Sequence, residues 1–126
     1  DFGYAASAMR NGEMNALIIT QGWGGPNETP CAGEVEFEVT TGGESFGWGS
    51  CATDWWDLEG ELQGQVDDQG GYQGEYVVRL GGVGGGSQEI AMNVTGVLDG
   101  TEAVLVFEYE SDWFDVADGE VFALRE

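Results

Sequence analysis

From about residue 33 onward apolar and polar residues alternate with a period of two, the pattern of a half-buried antiparallel strand, whose successive side chains point to opposite faces. Glu34-Val35-Glu36-Phe37-Glu38-Val39-Thr40 is the cleanest stretch, with Val35, Phe37 and Val39 on one face and three glutamates on the other. The pattern returns in Trp56, Leu58, Leu62 and Val66, in Tyr72, Tyr76, Val78 and Leu80, in Ile90, Met92, Val94 and Leu98, and in Ala103, Leu105, Phe107 and Tyr109. Turn-forming runs separate these stretches: Thr41-Gly42-Gly43, Asp67-Asp68-Gln69-Gly70-Gly71 and Asp99-Gly100. A shorter strand is expected around Ser45–Ser50, and a last one near Glu120–Arg125 with Phe122 and Leu124 inward. About seven or eight strands at hairpin spacing, without βαβ spacing, predict one all-β antiparallel domain over residues 1–126, either a β-sandwich or an up-and-down barrel.

Glycines Gly60, Gly64 and Gly74 fall on the inward parity, where they make room for bulky neighbours or permit strong coiling. Gly81–Gly86 is almost all glycine and reads as a mobile loop. The N-terminal segment, residues 1–14, has two readings. Tyr4–Arg10, ended by Asn11-Gly12, suits one or two helical turns, while Phe2, Tyr4, Ala6 and Ala8 alternate as a detachable edge strand would, serving as an assembly arm. Ala16–Thr20, apolar on both faces, reads as a buried central strand.

Charge decides which partners are excluded. There are 24 carboxylates against three cations (Arg10, Arg79 and Arg125) and no lysine or histidine, for a net charge of −21. Nucleic-acid binding needs basic residues that displace phosphate counterions, so it is excluded, and docking on anionic lipid is disfavoured for the same reason. Self-repulsion at this charge destabilises a compact chain, and molar salt, with a Debye length of about 3 Å, removes most of that penalty. A salt-adapted protein that gathers inorganic cations is the expectation. The apolar fraction of 41% and aromatic fraction of 12% exclude a disordered chain. No apolar run approaches the roughly 18 residues of a membrane-spanning helix.

Three features point to the cell exterior. The chain opens at Asp1, as a mature product does after signal-peptide removal. Cys31 and Cys51 flank one predicted hairpin and are expected to form a disulfide across its base. The sequons Asn27-Glu28-Thr29 and Asn93-Val94-Thr95 are candidate glycosylation sites, and with Val94 inward, Asn93 faces outward.

Catalytic chemistry has little to work with. Without histidine or lysine there is no Ser-His, Cys-His or Ser-Lys pair and no Schiff base. Two cysteines alone do not make a zinc site. No cofactor is expected, save calcium: Asp112, Asp115, Asp118 and Glu120 crowd one predicted acidic loop, of the kind that supplies oxygens to that ion. Trp55 shares the outward parity of Asp57, Glu59 and Glu61, and Trp23 and Trp113 fall in predicted loops. Val104 and Val106 are apolar at outward positions, so a second sheet, the N-terminal segment or a neighbouring chain should cover them. Together these features predict a non-enzymatic extracellular structural subunit that associates with copies of itself, by strand addition with cation screening. The alternative is a secreted module that binds carbohydrate or another small ligand through exposed tryptophans.

Overall fold

The computed structural model of the chain describes residues 2–21, 27–53, 56–82, 87–111 and 114–126. Its strands are β1 (Phe2–Ala6), β2 (Met9–Arg10), β3 (Glu13–Met14), β4 (Ala16–Gln21), β5 (Asn27–Val39), β6 (Glu44–Ala52), β7 (Trp56–Val66), β8 (Gly71–Gly82), β9 (Ser87–Leu98), β10 (Glu102–Tyr109) and β11 (Phe114–Arg125). Among the described residues there is no helix.

From β5 to β11 each strand pairs antiparallel with the next. Two short strands, placed end to end, then fill the space between β11 and β5. β1 pairs with β5 from Phe2↔Val39 to Ala6↔Val35, and with β11 at Tyr4↔Arg125 and Ala5↔Leu124. β4 pairs with β5 from Ala16↔Ala32 to Gln21↔Asn27, and with β11 from Phe114↔Gln21 to Val116↔Ile19. The wall therefore closes as an antiparallel barrel of eight staves, the barrel form of the predicted architecture, with one stave split in two.

The split sits where the helix reading was drawn, and hairpin chemistry wins there. Asn11 and Gly12 both adopt positive φ, 51° and 83°, as a tight two-residue hairpin turn requires. They join β2 to β3, which leave the wall as a small hairpin with Met9 opposite Met14 and Arg10 opposite Glu13. β1 is an integral part of the wall, since Tyr4 is buried and stacks on Phe37 at 5.2 Å.

Asn15 closes the gap that the excursion leaves. Its side chain is buried, and its amide stands in for the missing strand backbone opposite Phe122. Nδ2 donates to the Phe122 carbonyl at 2.8 Å, and the Phe122 N–H donates to Oδ1 at 3.2 Å. The Asn15 N–H donates to the Ala8 carbonyl at 2.7 Å, which ties off the hairpin at its base.

Inside, the parity read from the alternation holds for β5 and for β7 to β10. Val35, Phe37, Val39, Leu58, Leu62, Tyr72, Tyr76, Val78, Met92, Val94, Leu105 and Phe107 form one core. Tyrosine rings occupy the space that inward glycines vacate. A Cβ on Gly64 would lie 2.6 Å from the Tyr72 ring, and one on Gly49 would lie 2.8 Å from the Tyr76 hydroxyl oxygen. On the same inner side Cys31 and Cys51 form the expected disulfide between β5 and β6, with Cα atoms 5.3 Å apart. Gly33 pairs with Cys51, and any side chain there would collide with the Ser50 carbonyl oxygen.

β11 departs from its predicted register. Phe107 pairs with Gly119 but Tyr109 pairs with Val116, so two residues of β11 oppose one of β10 between these pairs. This β-bulge shifts the inward set by one residue. Val116, Val121 and Ala123 are buried, while Phe122 turns outward and Leu124 is 58% exposed, correcting the expectation that the last two face inward.

Replacing Asn15 with alanine leaves a buried N–H and a buried carbonyl of Phe122 without partners. We expect Asn15→Ala to destabilise the fold by roughly 2–4 kcal/mol in denaturant titration. Exchange of the Phe122 amide hydrogen should accelerate more than that of the β7–β8 amides. Equal acceleration everywhere would mean that Asn15 is not a local closure.

Candidate functional site

The closed wall gives each strand one inner and one outer face. Among the described residues a slot of about 40 Å³ lies near Asn15, Cys31, Cys51, Tyr76 and Phe107. That is well below the roughly 300 Å³ or more of an ordinary ligand pocket.

The outer face of β6 to β8 is the more developed surface. The β5–β6 turn sets Ser45 opposite Val39, and Val39 faces inward. Inward positions on β6 therefore fall to Ser45, Gly47, Gly49 and Cys51, and the aromatic residues Phe46 and Trp48 face solvent, 56% and 48% exposed. They stand about 7 Å apart along the strand. Across the ladder, Trp48 lies between Glu36 and Glu61, and Phe46 lies between Glu38 and Gln63. Val77 follows Glu61, and Glu75 follows Gln63, on β8. One row further, Ser50, Glu59, Arg79 and Glu89 stand in line, the last two as a solvent-exposed ion pair at 4.0 Å.

These side chains border two connected depressions. One, of about 550 Å³, is lined by Trp48, Ser50, Glu59, Glu61, Val77 and Arg79. The other, of about 440 Å³, is lined by Phe46, Gln63, Gln65, Glu75 and Val77. Sequence reasoning missed this pair of aromatics.

A second surface lies across the barrel, on β9 to β11. Val97 (60% exposed) pairs with Val104, and Val104 pairs with Phe122, so three outward apolar side chains form one row. Leu124 sits beside them, opposite Glu102. The β2–β3 hairpin covers part of this row. Arg10 places its guanidinium 4.1 Å from the centre of the Phe122 ring and pairs with Glu102 at 3.2 Å. Met9 and Met14, on the other face of the hairpin, are 54% and 56% exposed. Val104 and Val106 are half-buried, with Val106 between Thr95 and Glu120.

The other predicted residues fall as follows. Trp23, Trp55, Trp113 and Asp112 lie outside the described residues. The acidic run was expected to be a loop, but from Phe114 onward it is strand β11. Asp115 and Glu120 are thus about 15 Å apart, too far to share one ion. Asp115 Oδ1 accepts from the Ser111 N–H at 3.0 Å. Asp118 lies in β11 as well, and its side chain is not among those described. Among the described residues no group of three acidic or cysteine side chains is placed to hold a metal ion. Asn27 opens β5, and Asn93 is exposed on β9 with Val94 buried beneath it.

Charge is managed locally in the turns. Asp67 Oδ1 accepts from the backbone N–H groups of Gln69 and Gly71, both at 2.8 Å. Asp99 Oδ1 accepts from the Thr101 and Glu102 N–H groups and from the Thr101 hydroxyl. These bonds hold both carboxyls below the usual aspartate range, those from Gly71 and Glu102 being the largest contributors. Inside, burial pushes the Tyr72 hydroxyl up. Burial, and then the charge of Glu59, push up the Tyr76 hydroxyl.

The sequence and the fold match no known family, no curated protein and no solved structure.

A depressed folded-state pKa contributes stability that is complete above the unfolded value of 3.8 and is lost as pH falls through the folded value. Carbon-detected NMR titration should therefore find Asp67 and Asp99 still largely ionised at pH 3.8, with both turns loosening only below that pH. Titration of both residues at the ordinary aspartate value would contradict these turn geometries.

Proposed function

We propose that the protein is a non-enzymatic, extracellular structural subunit that associates with copies of itself through the apolar face of β9 to β11. The observation that carries this reading is the row Val97–Val104–Phe122 with Leu124, Met9 and Met14 around it, on a chain of net charge −21. Exposed apolar area of this kind marks an association surface more often than an ordinary exterior does. Part of the negative charge is offset there. Glu102 is paired with Arg10, and Arg125 sits 4.5 Å from the centre of the Phe2 ring, so two of the three arginines lie on this side.

Closure of the barrel bears on the mechanism. Every edge of the main sheet among the described strands is paired, which leaves side-chain packing between outer faces as the route to association. Inorganic cations enter as screening counterions. The Cys31–Cys51 disulfide supports an oxidising, extracellular setting, and the outward Asn93 sequon is compatible with it.

Light scattering across a salt series tests the reading. We expect a monomer in dilute buffer, a discrete oligomer or polymer in molar salt, and a monomer throughout for the double variant Val97→Glu, Leu124→Glu. A wild-type chain that stays monomeric at every salt concentration would overturn it.

A further inference from the structure

We infer that the outer face of β6 to β8 is a binding groove for a neutral polysaccharide, with Trp48 and Phe46 as stacking platforms for successive sugar rings. Both aromatics are exposed on a regular, fully paired strand that needs neither of them for the core. Each borders its own depression, and Val77 links the two, so the surface has the form of adjoining subsites. A flat ring presents its C–H face to an aromatic face while its hydroxyls reach sideways. Those hydroxyls both donate and accept, and the groove walls offer both functions. Glu59, Glu61 and Glu75 accept; Arg79 donates; Gln63, Gln65 and Ser50 do either.

Charge selects among possible occupants. A polyanionic glycan would meet a chain of net charge −21 and five glutamates along the groove itself. A second copy of the chain would bring a further −21 to the most acidic side of the barrel, where Glu34, Glu36 and Glu38 adjoin the aromatics. A basic peptide would be attracted overall, but it would meet the Arg79 cation in the Trp48 depression. An uncharged, hydroxyl-rich chain meets none of these penalties.

The groove is remote from the apolar row on β9 to β11, so its test does not depend on whether copies associate. Native affinity electrophoresis in gels containing hydroxyethylcellulose, mixed-linkage β-glucan, galactomannan or dextran is the direct experiment. At least one of these should retard the wild-type chain. Trp48→Ala should weaken that interaction roughly tenfold or more, and Phe46→Ala should weaken it in the same direction. Val97→Ala, on the apolar row, should leave it unchanged. Circular dichroism of each variant separates a lost contact from a lost fold. Three results would overturn the inference: no retardation by any of the four glycans, retardation unaffected by either aromatic substitution, or binding confined to polylysine in a parallel assay.

Discussion

Eight antiparallel staves enclose an interior narrow enough for side chains to fill, and here the described core side chains pack it, a constraint on which the rest of the molecule depends. The interior must be filled without being overfilled. Here large and absent side chains alternate across facing strands, Tyr72 over Gly64 and Tyr76 against Gly49 and Gly60. The glycines are therefore part of the packing. Closure then depends on the stave shared by β1 and β4, where the Asn15 amide supplies the pair of hydrogen bonds that the chain's own backbone does not.

Two consequences for function follow from closure. The described core side chains pack the interior, and the closed wall leaves no unpaired edge of the main sheet among the described strands to which a neighbour's strand could be added. What remains is the outer surface, and its two sides differ in chemistry. The β5 to β8 side combines exposed aromatics with glutamates and glutamines, while the β9 to β11 side combines aliphatic residues with two arginines. A surface this acidic repels anionic partners, and like partners until salt has screened the charge.

Most of the wall could be read from the alternation, because β5, β7, β8, β9 and β10 place aliphatic or aromatic residues inward and charged or polar ones outward. β6 inverts that rule. Its inward positions are Ser45, Gly47 and Gly49, and its outward ones are Phe46 and Trp48, so polarity alone points the wrong way. The register across the Thr40–Glu44 turn carries the right answer, since an inward Val39 forces an inward Ser45. In β11 a single extra residue reverses the parity of Phe122 and Leu124, and local sequence carries no mark of a bulge that is set by pairing with β10. The N-terminal hairpin was present in Asn11-Gly12, but alanine-rich flanks suit helix equally well until Tyr4 is seen to be needed in the core. The exposed aromatic site was thus hidden by its own departure from the usual pattern. The three tryptophans that attracted attention in the sequence lie outside the described residues.

Whether the wall closes is the question on which the functional readings turn, and cross-strand nuclear Overhauser contacts in molar salt answer it most directly. The account predicts contacts from β11 to both halves of the split stave, Leu124 to Ala5 and Val116 to Ile19, alongside those of the β5 to β11 meander. A complete meander with no contact from β11 to either β1 or β4 would mean an open sheet with free edges. In that case association by strand addition, rather than through the outer faces, would become the mechanism to pursue.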